Sequence, residues 1–380
     1  MAMSEEAISF GRIRIITSVY PHPQHSEQGR FAANLTDVWK NYTNVISVFS
    51  PVTLGFRIKR RRQHRRDVSV PGVAVTWVST LGQNAYNRMP APIQKRLRRF
   101  DQDRLISAMV GAEYGEVVYA QFISAGAIAR MVSKSTGEPY FVGLGESSSL
   151  LVGPANVVSA RRSTLRDARG VVCVSPRLCE EAIQLGADPN KVRLIPNTPD
   201  PALFRPKDRA AARAELGLEP DAFLVLYVGS YSDRKGVLRT DAALKQMRNP
   251  AQVAYLGSGN LTPNFTGIVF KDSVGHDRLP AWMNAADVLV LPTLAEGCCN
   301  VIAEALACGL PVVCSDIDDI RWQVPEEGAI LVDPTDPVAI AKVLDALIEA
   351  PDRLAEMRAA LRHAAANRCA GRSMQVLQWM

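Results

Sequence analysis

Short, nearly continuous runs of Val, Ile and Leu recur along this chain, separated by amphipathic stretches and clusters of Gly, Pro, Asn and Ser. The first series is RIRIITSVY, NVISVFSP, VAVTWVST, EVVYAQF, PYFVGL, GVVCVS and KVRLIPN. The second is AFLVLYVGS, AQVAYLGSG, TGIVFKDS, ADVLVLPT, LPVVCSDI and GAILVDP. Runs without polar alternation suit strands covered on both faces, as parallel strands are. Intervening stretches such as GRFAANLTDVWKNY and SPRLCEEAIQLG carry the helical period. The series break at IPNTPDPALFRPKD, residues 195–208, which is rich in proline. The pattern predicts two α/β domains, each a doubly wound parallel sheet, facing one another across a cleft. The expected boundaries are 1–200 and 201–362, with a C-terminal helical segment over 363–380.

Composition narrows the picture. With 47% apolar and 22% charged residues over 380 positions, the chain is an ordinary globular one. The N-terminus has no secretory apolar core, and no apolar run is long enough to span a bilayer. Seven cysteines, none before Cys173, argue against a disulfide framework and for a reducing cytoplasm. The net charge of +6 is unevenly spread, because base is concentrated in Arg57–Arg66 and in Lys95–Arg99. Each cluster alone reads as a solvated loop. Two in one half, interleaved with Phe56, Ile58, Leu97 and Phe100, predict an anionic membrane surface as a partner. No recognition motif accompanies them, so nucleic acid is not expected.

Ligands of open α/β sheets sit at the carboxyl ends of the strands, and four stretches fall there. SVYPHPQHSEQGRFAANL follows the first strand, and its Gly29 allows close backbone approach at a helix start. It is not G-x-G-x-x-G, and its His22 and His25 are given no catalytic role. YVGSYSDRKGV places Arg234 and Lys235 after a Gly-Ser loop, which reads equally as a diphosphate site or a basic turn. LGSGN, residues 256–260, is a turn on the path a nucleotide would take. AEGCCNVIAEALACGLPVV carries Glu296 in a loop, Asn300 as the expected N-cap, and Glu304 about one turn into a helix. Two carboxylates beside a helix N-terminus fit a hydroxyl-rich sugar with a phosphate behind it. Cys298, Cys299, Cys308 and Cys314 form no C-x-x-C and have no histidine nearby, so small packing residues are favoured over zinc ligands.

EGCCNVIAEALACGLPVV resembles the E-x7-E signature of retaining glycosyltransferases of the group 1 family, which have the GT-B fold of two Rossmann-like domains. VGSYSDRKG is similar to that family's Gly-Arg-Leu-x-x-x-Lys-Gly loop. VSPRLCEEAIQLGADPNKVRLIPNTPDPALFRP resembles its interdomain passage, and LPAWMNAADVLVLPTLAEG the run before the signature. The resemblance covers most of residues 170–315 and is thinner over 1–150. It implies transfer of a sugar, with retention, from a UDP- or GDP-linked donor bound by the second domain. The implied acceptor is a saccharide or lipid-linked glycan bound by the first domain, in polysaccharide assembly. It further implies donor-ribose contacts at Glu304, donor-sugar contacts at Glu296, and diphosphate neutralisation by Lys235 aided by Arg234. Backbone contacts to sugar and phosphate would come from Asn300 and Val301, and Gly29 would let the first domain close over the diphosphate. Ser230, Gly297 and Cys299 would complete the donor-binding set, and the base would meet 269–271, with Phe270 at the centre. The last helix, within 363–380, looks like the family's tail that crosses back to the first domain. No metal ion or cofactor is implied.

The chain departs from the family pattern at three places. Ser230 stands where the loop usually has arginine, Leu144 where the first domain usually has a sugar-binding histidine, and DDIRW where Gly-Gly-x-Pro-Glu is usual. Glu146 or Ser147 would then fill the histidine's place. The departures at Ser230 and Leu144 keep a catalytically silent nucleotide-sugar scaffold open as an alternative. A sugar-nucleotide epimerase on the same fold is another, against which the E-x7-E signature speaks.

Overall fold

The computed structural model describes residues 10–18, 20, 30–53, 72–81, 89–366 and 372–380. Gly29 and Arg57–Arg66, together with His22 and His25, lie outside the described residues. The chain divides into two compact units, one of Met1–Ile195 with Arg372–Met380, the other of Pro196–Gly371.

Among the described residues, unit 1 holds β1 (Phe10–Thr17), β2 (Thr43–Thr53), β3 (Val73–Thr80), β4 (Val117–Gln121), β5 (Tyr140–Leu144), β6 (Gly170–Cys173) and β7 (Val192–Leu194). They pair in the order β3-β2-β1-β4-β5-β6-β7, and every pairing is parallel. β4, β5 and β6 are buried at every position, which is why their sequences show no alternation. On one face Trp39, at the end of helix Arg30–Trp39, meets Tyr119 edge-on at 5.1 Å. The last helix of the chain, Arg372–Trp379, belongs to this unit. Val376 and Leu377 are fully buried, and Trp379 lies edge-on to Phe141 at 5.3 Å. Gly170 leaves room for it, since a Cβ there would stand 2.1 Å from the Trp379 ring.

Unit 2 holds β8 (Leu224–Val228), β9 (Gln252–Leu256), β10 (Ile268–Asp272), β11 (Val288–Leu291), β12 (Val312–Ser315) and β13 (Ala329–Val332). Their order is β10-β9-β8-β11-β12-β13, again all parallel. At the amino end of β11, Asp287 accepts from Arg213 at 2.6 Å and from the Leu224 amide at 2.8 Å, and pairs with Arg209 at 2.8 Å. That end is spent on structure. In both sheets the strand order reverses beside the first strand, between β1 and β4 and between β8 and β11. Loops leaving such a pair diverge to opposite faces and open a crevice at the carboxyl edge. The chain is thus the doubly wound two-domain α/β fold expected from its hydrophobic runs. In the C-terminal segment, helix Pro351–Ala366 runs on past residue 363 before the final helix begins at Arg372.

Candidate active site

In unit 2 the loops that leave β8 and β11 at the reversal are laced together. The Leu294 amide donates to the Arg234 carbonyl at 2.8 Å, and Arg234 Nη1 donates to the Ala295 carbonyl at 2.7 Å. The lacing brings three polar groups onto one buried carboxylate. Glu296 Oε1 accepts from Lys235 Nζ at 2.6 Å, the Thr293 hydroxyl at 2.7 Å and Arg234 Nη1 at 3.1 Å. The Lys235 side chain is 14% exposed and that of Glu296 8%. Burial works against the lysine's charge, but the Cys299 sulfur and the Glu296 carboxylate outweigh it, and its pKa stands above the ordinary value. The Cys299 thiol itself is pushed up to about 12 by burial, so it is neutral at physiological pH. Glu296 is therefore the counter-ion.

Glycine is required where the loops turn. Gly236, at φ 78°, begins helix Val237–Leu244, and a Cβ there would lie 2.3 Å from the Pro292 carbonyl. The loop after β8 also runs against the loop after β9. The Tyr231 amide donates to the Ser258 carbonyl at 2.8 Å, and a Cβ on Gly257 would lie 1.9 Å from the Gly229 carbonyl. LGSGN is thus a backbone-packed wall of the same site. Ser230 Oγ faces Ser232 Oγ at 3.0 Å, and the Ser230 carbonyl accepts from the Tyr227 hydroxyl at 3.0 Å.

Helix Asn300–Ala307 starts at this edge. The expected N-cap is corrected by one residue: Cys299 holds the capping position, without a side-chain hydrogen bond, and Asn300 is the first helical residue. The reason is a competing partner, because Asn300 Oδ1 accepts from Asn197 Nδ2 at 2.7 Å. The backbone of Cys299 is held instead by Gln323, whose Oε1 accepts from the Cys299 amide at 3.0 Å and whose Nε2 donates to its carbonyl at 2.7 Å. Gly297 is buried and Val301 half-buried against the core. Glu304, in the second turn, is 8% exposed and lies 3.0 Å from His276 Nε2.

Two sequence-derived positions stand outside this cluster. Phe270 turns its ring onto Trp282, 4.7 Å away, and lines a cavity of about 500 Å³ with Leu216, Val274 and Trp282. Glu146 belongs to unit 1, where its Oε1 accepts from the Ile123 amide at 2.6 Å and its Oε2 from the Gly145 amide at 2.9 Å. Burial pushes its carboxyl up in spite of those bonds. It holds the start of helix Ile123–Thr136, just after Phe122, whose φ of 73° is strained for a residue with a Cβ. Ser147 is half-buried beside it, and Leu144 is fully buried in β5.

Sequence reasoning missed Thr293, His276 and Gln323. The first two follow strands at their carboxyl ends, so position alone could have singled them out. Gln323 lies in a short turn with no pattern. Among the described residues, no three His, Cys, Asp or Glu side chains gather closely enough to hold a metal ion.

Comparison with known proteins places this geometry. Residues 222–350 match the family described as "Glycosyl transferases group 1", and residues 46–198 match the "Glycosyl transferase 4-like domain". D-inositol 3-phosphate glycosyltransferase 1 of Catenulispora acidiphila is 33% identical over 287 residues, covering 66% of this chain and 68% of that protein. The putative teichuronic acid biosynthesis glycosyltransferase TuaC of Bacillus subtilis is 25% identical over 344 residues, 88% of each chain. Among solved structures, sucrose-phosphate synthase from Thermosynechococcus elongatus superposes with a TM-score of 0.78 at 19% identity, covering 97% of this chain and 98% of the other. HepE of Anabaena, in complex with UDP-glucose, gives 0.72 at 18% identity and 97% coverage of each. Those two share the fold. Taken together, the paired family matches and the relative from Catenulispora show that the chain belongs to the group 1 glycosyltransferases, and its two parallel-sheet units and the solved structures show the GT-B fold.

Proposed function

We propose that the chain transfers a sugar, with retention at the anomeric carbon, from a nucleoside-diphosphate sugar to a saccharide or lipid-linked acceptor in glycan assembly. The observation that carries the reading is the Lys235–Arg234–Glu296 cluster at the strand reversal of unit 2. Two cations on one carboxylate leave positive charge over, and a diphosphate supplies what would balance it. When the bond from the anomeric carbon to the phosphate oxygen breaks, negative charge grows on the departing diphosphate. Lys235, Arg234 and the amides at the start of helix Asn300–Ala307 are fixed in advance where that charge would appear. The acceptor oxygen takes the anomeric carbon, and its proton leaves with the diphosphate. Glu296, released from part of its pairing, would hold hydroxyls of the donor sugar, and Glu304 the ribose diol. No metal ion enters this scheme.

Support for a nucleotide sugar comes from HepE, solved with UDP-glucose. Support for glycan assembly comes from the teichuronic acid relative, and for glycosyl transfer from the D-inositol 3-phosphate glycosyltransferase relatives. Unit 1 would bind the acceptor and unit 2 the donor. A screen of UDP- and GDP-sugars by thermal unfolding tests the reading, since a ligand of the native state raises the midpoint by mass action. One nucleotide family should stabilise the wild type and shift Lys235→Ala and Glu304→Ala by less. No shift with any donor would count against donor binding, whereas a shift without transfer or hydrolysis would favour the scaffold alternative.

Contact with an anionic membrane is part of the proposal. On helix Ala91–Val110, Lys95, Arg96, Arg98 and Arg99 are exposed beside Ile93 (44%) and Phe100 (49%). No described helix is long and apolar enough to cross a membrane. Replacing these four bases with serine should release the protein from phosphatidylglycerol vesicles at low salt. Undiminished binding would remove that helix from the proposal.

A further inference from the structure

His276 has no place in the reading so far, yet it touches the second carboxylate of the signature. It opens a short 3₁₀ turn, His276–Arg278, that follows β10 at its carboxyl end. The turn is closed by the Arg278 amide donating to the Gly275 carbonyl at 2.8 Å. The imidazole also packs against Phe204, which meets it edge-on at 5.0 Å and is itself buried. Phe204 comes from the proline-rich passage that opens unit 2, so two separate segments hold the ring. Its Nε2 lies 3.0 Å from Glu304 Oε1, with the two side chains 20% and 10% exposed.

A carboxylate oxygen only accepts, so Nε2 carries the proton in this pair. A carboxylate offers about four lone-pair sites, and one of them is taken by the imidazole. A glutamate held by its helix alone can rotate about its terminal bond, since such sp³–sp² torsions are broad. The imidazole removes that freedom and sets the plane of the carboxylate. Two vicinal hydroxyls need two acceptor sites in one plane, and a preset plane lowers the ordering cost of binding them.

We infer that His276 is a positioning residue for the ribose diol of the donor: it acts through Glu304 and fixes that carboxylate to receive both hydroxyls. The inference rests on the proposal that Glu304 binds the ribose. It makes nucleotide affinity depend on His276 only when the ribose hydroxyls are present. A histidine that merely steadied the turn after β10 would affect every nucleotide alike.

The test is calorimetric titration of the full chain with UDP and with 2′,3′-dideoxy-UDP, and with the GDP pair should UDP not bind. The proteins are wild type, His276→Ala, His276→Gln and Glu304→Ala. His276→Ala should weaken UDP about tenfold, the size of one hydrogen bond to a charged group, and leave the dideoxy probe unchanged. Glutamine can donate from the same side, so His276→Gln should recover part of the loss. Glu304→Ala should abolish discrimination between the two probes. Equal losses for both probes in His276→Ala, or no loss, would overturn the inference. If Glu304→Ala alone abolishes discrimination, the ribose reading stands and the role of His276 falls. If Glu304→Ala leaves discrimination intact, or no nucleotide binds the wild type, the ribose reading fails and the inference with it.

Discussion

Glu296 is a carboxylate that three donors share, and removing it would leave Lys235 buried with an unmatched charge. Breaking a buried pair from one side costs about 3 kcal/mol or more. Glu296→Ala is expected to lower stability by that order in urea titration, and Lys235→Met, which takes out charge and keeps volume, by less. The pH course follows from the sign of the shift. The pKa of Lys235 is raised on folding, so the pair's contribution is full below the unfolded lysine value of about 10.4 and is lost as pH climbs through the folded value. Wild-type stability should be level across neutral pH, with an alkaline fall that Lys235→Met diminishes. A similar contrast separates the thiols. Burial raises Cys299 and Cys314, whereas the hydrogen bond from Cys173 outweighs burial to lower half-buried Cys179. Iodoacetamide at pH 7.5 should label Cys179 well before Cys299, followed by peptide mass spectrometry. Equal rates would mean that the loop around Cys299 opens readily.

At the level of elements, the strands were legible because parallel strands buried on both faces have no polar positions to spare. VLVL and VVCS are buried throughout as β11 and β12. Their order in the sheet was not legible, since pairing partners are set by crossovers that leave no local mark. The same divide runs through the site. Glu296, Glu304, Arg234 and Lys235 could be picked out by their place after strands, but the lacing of Arg234 to Ala295 depends on β8 and β11 being neighbours. The Asn300 cap failed for a like reason, because Asn197 arrives from a distant stretch and captures the side chain. Glycines are where local sequence and tertiary contact agree. A Cβ at Gly257 would meet a backbone carbonyl that cannot swing aside, at φ 152°, and so must push apart the loops after β8 and β9. Gly257→Ala should lower the unfolding midpoint of unit 2 and weaken nucleotide binding together. Normal binding with reduced stability would show that this wall does not touch the ligand.

At the scale of the whole molecule, the chain leaves unit 1 at Ile195, builds unit 2, and comes back to spend its last helix on unit 1. That return makes the stability of unit 1 depend on the last nine residues. Deleting 372–380 would uncover the site of Trp379 against Phe141 and Gly170, along with the two fully buried side chains Val376 and Leu377. The stacking of Arg193 on Trp379, with 5.6 Å from guanidinium carbon to ring centroid, would go with it. Each large apolar side chain exposed costs about 2 kcal/mol, so the loss is comparable with the whole stability of a domain. Unit 2 loses nothing from its own core by the same cut. Calorimetry of the truncated chain should therefore show one transition moved far down and another nearly unchanged, and limited proteolysis should nick unit 1 first. Nucleotide binding belongs to unit 2 in the proposed scheme and should survive, while transfer to acceptor is lost. A single transition that falls as one would mean that the two units unfold together, and nucleotide binding would then disappear at the same temperature as activity.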